Sequence, residues 1–221
     1  AALEPSTRAY CEEIVAAMQG RDVVDAAEDY AQHIPVRVIA TMLGLPPEDE
    51  ATFTDWAVRL LQQGFQNIES ATGAISELIT YFIDKIAERE ALAADRRPDD
   101  LLTFGVEAEL DGEPLSGRHR VGICFLLLIA GIDTTWSAIS SSLWHLATHP
   151  EDQARLRAEP DLMTTAVEEF LRFYSPVTMA RYVTEDTEFN GCPMHAGDKI
   201  QVSVWKEVDL QRVIIIRPDG R

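Results

Sequence analysis

Apolar residues recur at helical spacing over most of the first 174 positions. Ala9, Ile14, Val15 and Met18 share one face of a helix predicted over 1–19, with Gly20 as its stop. A second helix is expected over 24–43, closed by Gly44 ahead of Pro46-Pro47. The pattern continues over 48–63 and 69–94. Arg96-Arg97-Pro98 ends the latter, and Asp99-Asp100 is placed to cap a short helix reaching Glu109. After a turn at Asp111-Gly112, Ser116 caps a helix expected over 116–148, near 50 Å long at about 1.5 Å per residue. His149-Pro150 marks its end, and short helices are expected over 151–158 and 161–173.

The period changes after Ser175-Pro176. Segments 180–184, 187–189 and 199–204 have strand composition, with turn signals at Asn190-Gly191 and Ala196-Gly197-Asp198 between them. The fold class expected is mainly α, with a small β-sheet near the C-terminal end. Residues 1–174 form the helical part and 175–221 a small β region with an irregular tail.

Composition narrows the function. Hydrophobic residues at 46% with charged residues at 25% fit a globular protein. A net charge of -18 argues against a nucleic-acid partner, which needs a basic face. The charge is uneven: residues 172–221 hold seven basic and seven acidic side chains, so arginines late in the chain need anionic partners. Cys11, Cys124 and Cys192 are too scattered for a disulfide scaffold or a zinc cluster, which suits a reducing cytoplasm. The acidic start has no leader pattern. The most apolar run, 121–132, is short of the roughly 20 residues of a bilayer helix, so a buried core helix and no membrane partner are expected.

Three features carry chemistry. Ala130-Gly131-Ile132-Asp133-Thr134-Thr135 places poor helix formers at the centre of the long helix. Thr134 can hydrogen-bond back to the carbonyl of Ala130, loosening the helix into a groove for a small molecule and water. Glu169 and Arg172, three apart on one helix face, can pair. Arg181 opens a strand in apolar surroundings and wants a carboxylate or phosphate. His145 and His149 also share a helix face, but without a third ligand no metal centre is expected.

The segments AGIDTT at 130–135, EFLR at 169–172, SPVTMAR at 175–181 and FNGCPMHAGDKI at 189–200 together resemble the soluble bacterial branch of the cytochrome P450 haem-thiolate monooxygenases. The resemblance runs over about 1–204 and implies the central and distal part of that fold, with haem as cofactor. It implies that Asp133 and Thr134 are the acid–alcohol pair delivering protons to dioxygen, and that Ala130, Gly131 and Thr135 line the haem side of the helix. Arg181 would bind a haem propionate. Glu169 and Arg172, with Arg212 as a third member, would form a structural cluster. Ile129, Val177, Thr178 and Met179 would face the substrate. The partners implied are a small apolar organic substrate, dioxygen and a ferredoxin-type electron donor.

The sequence departs from the family at its axial ligand, a cysteine in a glycine-containing loop far beyond the EFLR helix. Cys11, Cys124 and Cys192 all sit outside that context, and the tail over 201–221 is altered. The expectation is therefore a fragment of the domain, without its N-terminal part and its haem-ligand loop, and inactive alone. The alternative is a non-catalytic helical or ligand-binding protein derived from that fold.

Overall fold

The computed structural model describes residues 3–64, 66–177 and 180–201. They fall into two compact units, Ala1–Tyr174 and Ser175–Arg221.

Side-chain caps open three helices of the first unit, those that begin after Asn67, Asp100 and Ser116. Helix α1 (Glu4–Met18) is followed by Gly20 at φ +83°, the expected stop. The single helix expected over 24–43 is instead a π-turn at Ala27–Ala31 followed by α2 (His33–Leu43). Asp25 caps the start of the π-turn, its carboxylate accepting the amides of Ala27 and Glu28 at 2.8 and 3.0 Å. Gly44, at φ +66°, ends α2. The helix expected over 48–63 is likewise divided, into α3 (Glu50–Ala57) and a π-turn at Val58–Gln62.

Helix α4 (Ile68–Glu90) is capped by Asn67, and α5 (Leu101–Glu107) by Asp100, which accepts the amide of Thr103 at 2.8 Å. Asp111-Gly112 turns the chain between two-residue strands β1 (Glu109–Leu110) and β2 (Glu113–Pro114). Ser116 then caps α6 (Gly117–Thr148), an unbroken 32-residue helix. Helices α7 (Pro150–Ala158) and α8 (Met163–Phe173) complete the unit.

The core forms where α2, α3, α4 and α6 meet. One ridge of α6, Cys124, Leu128, Ile132 and Trp136, is buried at a strict four-residue repeat. Around Phe53, the rings of Trp56 and Tyr81 pack with centroids 5.5–5.7 Å apart. Trp56 donates its indole N–H to Glu77 at 3.0 Å, and Arg59 binds Glu77, which ties the α3 end to α4. By length and composition α6 could cross a membrane, with mean hydropathy 1.7 over its most apolar window. Its apolar stretch is thus longer than the dozen residues expected. The buried ridge shows that one side of it serves a protein core.

In the second unit, β3 (Ala180–Tyr182) pairs antiparallel with β6 (Lys199–Gln201), and β4 (Thr187–Phe189) with β5 (Cys192–Met194). Asn190-Gly191, both at positive φ, makes the β4–β5 hairpin. The single sheet expected here is therefore two separate two-stranded ladders among the described residues. Strand β5 escapes a composition-based reading because Pro193 lies inside it, a residue confined to edge positions.

Candidate active site on helix α6

Thr134 lies just past the midpoint of α6. Its hydroxyl donates to the carbonyl oxygen of Ala130 at 2.8 Å, the back-bond expected from the spacing. The helix nevertheless stays continuous through this point, so no unwound segment forms. Glycine at 131 has a packing cause: a Cβ there would lie 2.6 Å from Cδ1 of Ile39 on α2. This is where the two helices approach closely, and it favours Gly131 as a contact to α2.

Asp133 is half-buried, and burial pushes its carboxyl above the usual carboxylate range. No side chain among the described residues pairs with it. Ala130 and Thr135 are exposed, whereas Ile129 packs partly buried against the core. Leu126, one turn before Ala130, is 63% exposed. The four-residue offset of Leu126 from Ala130 is the sequence signal that marks it as part of the same ridge. Gly122, Leu126, Ala130 and Thr134 thus form a ridge parallel to the buried one, with its first three members open to solvent.

Glu169 and Arg172 pair as expected. Arg172 donates from Nε and Nη2 to the two carboxylate oxygens, each at 2.7 Å, and holds Glu169 below the usual carboxylate range. Both side chains are about half exposed, so the carboxylate is not a buried one among the described residues. Arg181 sits at the centre of β3, opposite Ile200. Val177 is exposed. Thr178, Met179 and Arg212 lie outside the described residues.

His145 and His149 stack at 4.1 Å. His145 Nδ1 bonds the Tyr174 hydroxyl at 2.7 Å and Nε2 the Asp152 carboxylate at 2.9 Å. A carboxylate only accepts, so Nε2 donates and, in the neutral ring, Nδ1 accepts from Tyr174. These bonds commit both nitrogens of His145 and tie α6, α7 and the end of α8 together. No group of three or more side chains suited to a metal occurs among the described residues.

Residues 51–207 match the family model described as Cytochrome P450. The chain belongs to the cytochrome P450 family. It is 34% identical to the vitamin D(3) 25-hydroxylase of Pseudonocardia autotrophica, covering 91% of this chain and 49% of that protein. Identity to a methyl-branched lipid omega-hydroxylase of Mycobacterium tuberculosis is 39%, over 82% of this chain and 42% of the relative. Among solved structures, a polyketide-synthase cytochrome P450 of Bacillus subtilis superposes with a TM-score of 0.81 at 31% identity, over 90% of this chain and 51% of that one. A testosterone-bound cytochrome P450 of Bacillus megaterium gives 0.77 at 32%, over 90% and 54%. The chain spans about half the length of the relatives it matches.

The P450 family implies haem, and two faces of that group can be tested against this structure. The open ridge of α6 fits one face of a flat apolar ring, because Gly122 and Ala130 are small and Leu126 is uncovered. The surroundings of the three cysteines bear on the other face. Cys124 is buried in the core, and burial, with a smaller contribution from Asp100, pushes its thiol up to about 11. Cys192 is exposed on the β4–β5 hairpin and Cys11 is half-buried on α1.

Proposed function

We propose that α6 is the oxygen-handling wall of a haem-dependent monooxygenase, an oxidoreductase that hydroxylates a small apolar substrate. Dioxygen and electrons from a ferredoxin-type donor, in the cytoplasm, complete the reaction. Haem, when bound, supplies the activation of dioxygen. The observation that carries the reading is the Asp133–Thr134 pair at the open ridge of a core helix.

The hydroxyl hydrogen of Thr134 is held by Ala130 O, which leaves the Oγ1 lone pairs facing outward to accept from a water or substrate oxygen. Asp133, with its carboxyl raised by burial, keeps a proton at higher pH than an exposed aspartate does and can release it toward that water. Leu126 and Ala130 keep the neighbouring surface apolar, which suits a substrate without charge. Arg181 is assigned to a haem propionate, and Val177, Thr178 and Met179 to the substrate side. Ala130, Gly131 and Thr135 are assigned to the haem side, Ile129 to the pocket wall, and Glu169, Arg172 and Arg212 to a structural cluster.

In a haem-loaded form carrying this α6, Thr134→Ala is expected to uncouple electron consumption from product formation, with peroxide released in place of hydroxylated product. Unchanged coupling removes Thr134 from proton handling. The burial of Cys124, whose thiol is pushed up, and the positions of Cys11 and Cys192 support haem held by these 221 residues without a thiolate bond.

A further inference from the structure

Helix α2 meets α6 at Gly131, and one side chain fills the meeting point. A Cβ at residue 131 would lie 2.6 Å from Cδ1 and 3.0 Å from Cγ1 of Ile39. Apart from its sequence neighbours and the backbone of α6, nothing else among the described residues comes within 4 Å of that position.

The contact is held from both sides. On α2, Val36, Ala40 and Leu43 are buried, and Ile39 packs partly buried against the same core. On α6, the next residue, Ile132, is fully buried. Ile39 is β-branched, with one strongly favoured χ1 in a helix, so its side chain has little freedom to step aside. A close-packed interior passes a displacement on to its neighbours rather than absorbing it. Gly131 lies three positions before Thr134, on the same side of a helix that is continuous here. Whatever fixes α6 at Gly131 therefore fixes the open ridge beside it.

We propose that Ile39 is a positioning residue for the oxygen-handling wall. Its δ-methyl, seated at Gly131, sets the distance and rotation of α6 against α2, and so the direction in which Leu126, Ala130 and Thr134 face. Ile39 acts through α6 and touches neither haem nor substrate. The inference rests on α6 serving as that wall, but its test needs neither haem nor turnover, so the two fail separately.

A double-variant cycle in the 221-residue chain tests it, read by thermal unfolding and by carbon-13 methyl NMR of Leu126 and Thr134. Alanine is the better helix former, so Gly→Ala stabilises a helix wherever there is space. Gly122→Ala, where a Cβ meets nothing within 4 Å, is the control and is expected to raise the melting midpoint. Gly131→Ala is expected to lower the midpoint beside Ile39 and to raise it beside Ile39→Ala, a difference of about 4 °C or more. The methyl signals of Leu126 and Thr134 are expected to shift in Gly131→Ala and to return toward their parent positions in the double variant. Leu78→Ala, which empties a fully buried site on α4, is expected to lower the midpoint and leave both signals in place. Far-UV circular dichroism confirms folding; if Gly131→Ala alone does not fold, recovery of the fold in the double variant is the expected rescue. An equal effect of Gly131→Ala in both backgrounds, ridge signals unmoved in folded Gly131→Ala, or the same shifts in Leu78→Ala overturns the proposal.

Discussion

Asp100 is the position where one substitution should damage the fold most. Its carboxylate accepts from Arg89 at 2.6 Å on both oxygens, and only 6% of the Asp100 side chain and 9% of the Arg89 side chain are exposed. Arg89 Nη1 also reaches the hydroxyl of Thr103. The same carboxylate caps α5. It packs so closely on Gly44 that a Cβ there would come within 1.9 Å of Oδ2. Asp100→Ala leaves the Arg89 charge buried and unpaired, at about 3–5 kcal/mol, and removes the cap, at about 1 kcal/mol. The expected loss is about 4–6 kcal/mol, a large share of the 5–15 kcal/mol typical of a folded domain. At about 2–4 °C per kcal/mol for a chain of this size, the midpoint should fall by roughly 10–20 °C. Urea and thermal unfolding followed by circular dichroism measure it. Arg89→Met combined with Asp100→Asn should be more stable than Asp100→Asn alone, because no charge is left orphaned. A loss under about 1 kcal/mol for Asp100→Ala, or a double variant weaker than the single, refutes the reasoning.

Two further outcomes depend on pH. Arg59, then Trp56, hold the Glu77 carboxyl down to about 2, so its stabilisation is present above the ordinary carboxylate range and is lost as pH falls toward 2. Glu77→Gln should therefore destabilise the protein at pH 6, with the difference from the parent shrinking steadily below pH 4.5 in acid unfolding curves. Asp133 has the opposite sign. Its raised carboxyl makes the charged form a cost in the fold that grows as pH rises through the carboxylate range and then stays level. Asp133→Asn should raise the melting temperature at neutral pH and change it little at pH 3. A neutral-pH decrease would show that the Asp133 charge is stabilised by a partner.

Local chemistry was the part of the structure that could be read from residues alone. Ser116, Asp100, Gly20, Gly44 and Asn190-Gly191 act through neighbours within four positions, and each caps, stops or turns the chain as expected. The back-bond of Thr134 to Ala130 belongs to the same class. Features missed depend on distant partners. The tie between His145 and Tyr174 joins residues 29 apart, and the Trp56–Glu77 contact spans 21. The π-turn at Val58–Gln62 leaves no composition mark, because its residues are ordinary helix formers. Gly131 reads from the sequence as a groove residue, yet its glycine answers to Ile39 on another helix. Leu126 stood out only once the buried ridge of α6 revealed which ridge remained open.

These residues are proposed as the oxygen-handling wall of a P450 site, with no thiolate to iron from Cys11, Cys124 or Cys192. The absorption spectrum of the 221-residue chain mixed with haem, reduced and exposed to carbon monoxide, tests this most directly. A spectrum free of the red-shifted Soret band of thiolate ligation is expected, and replacing Cys11, Cys124 and Cys192 one at a time should leave it unchanged. A thiolate-type Soret band that disappears with any one of these cysteines would contradict the claim.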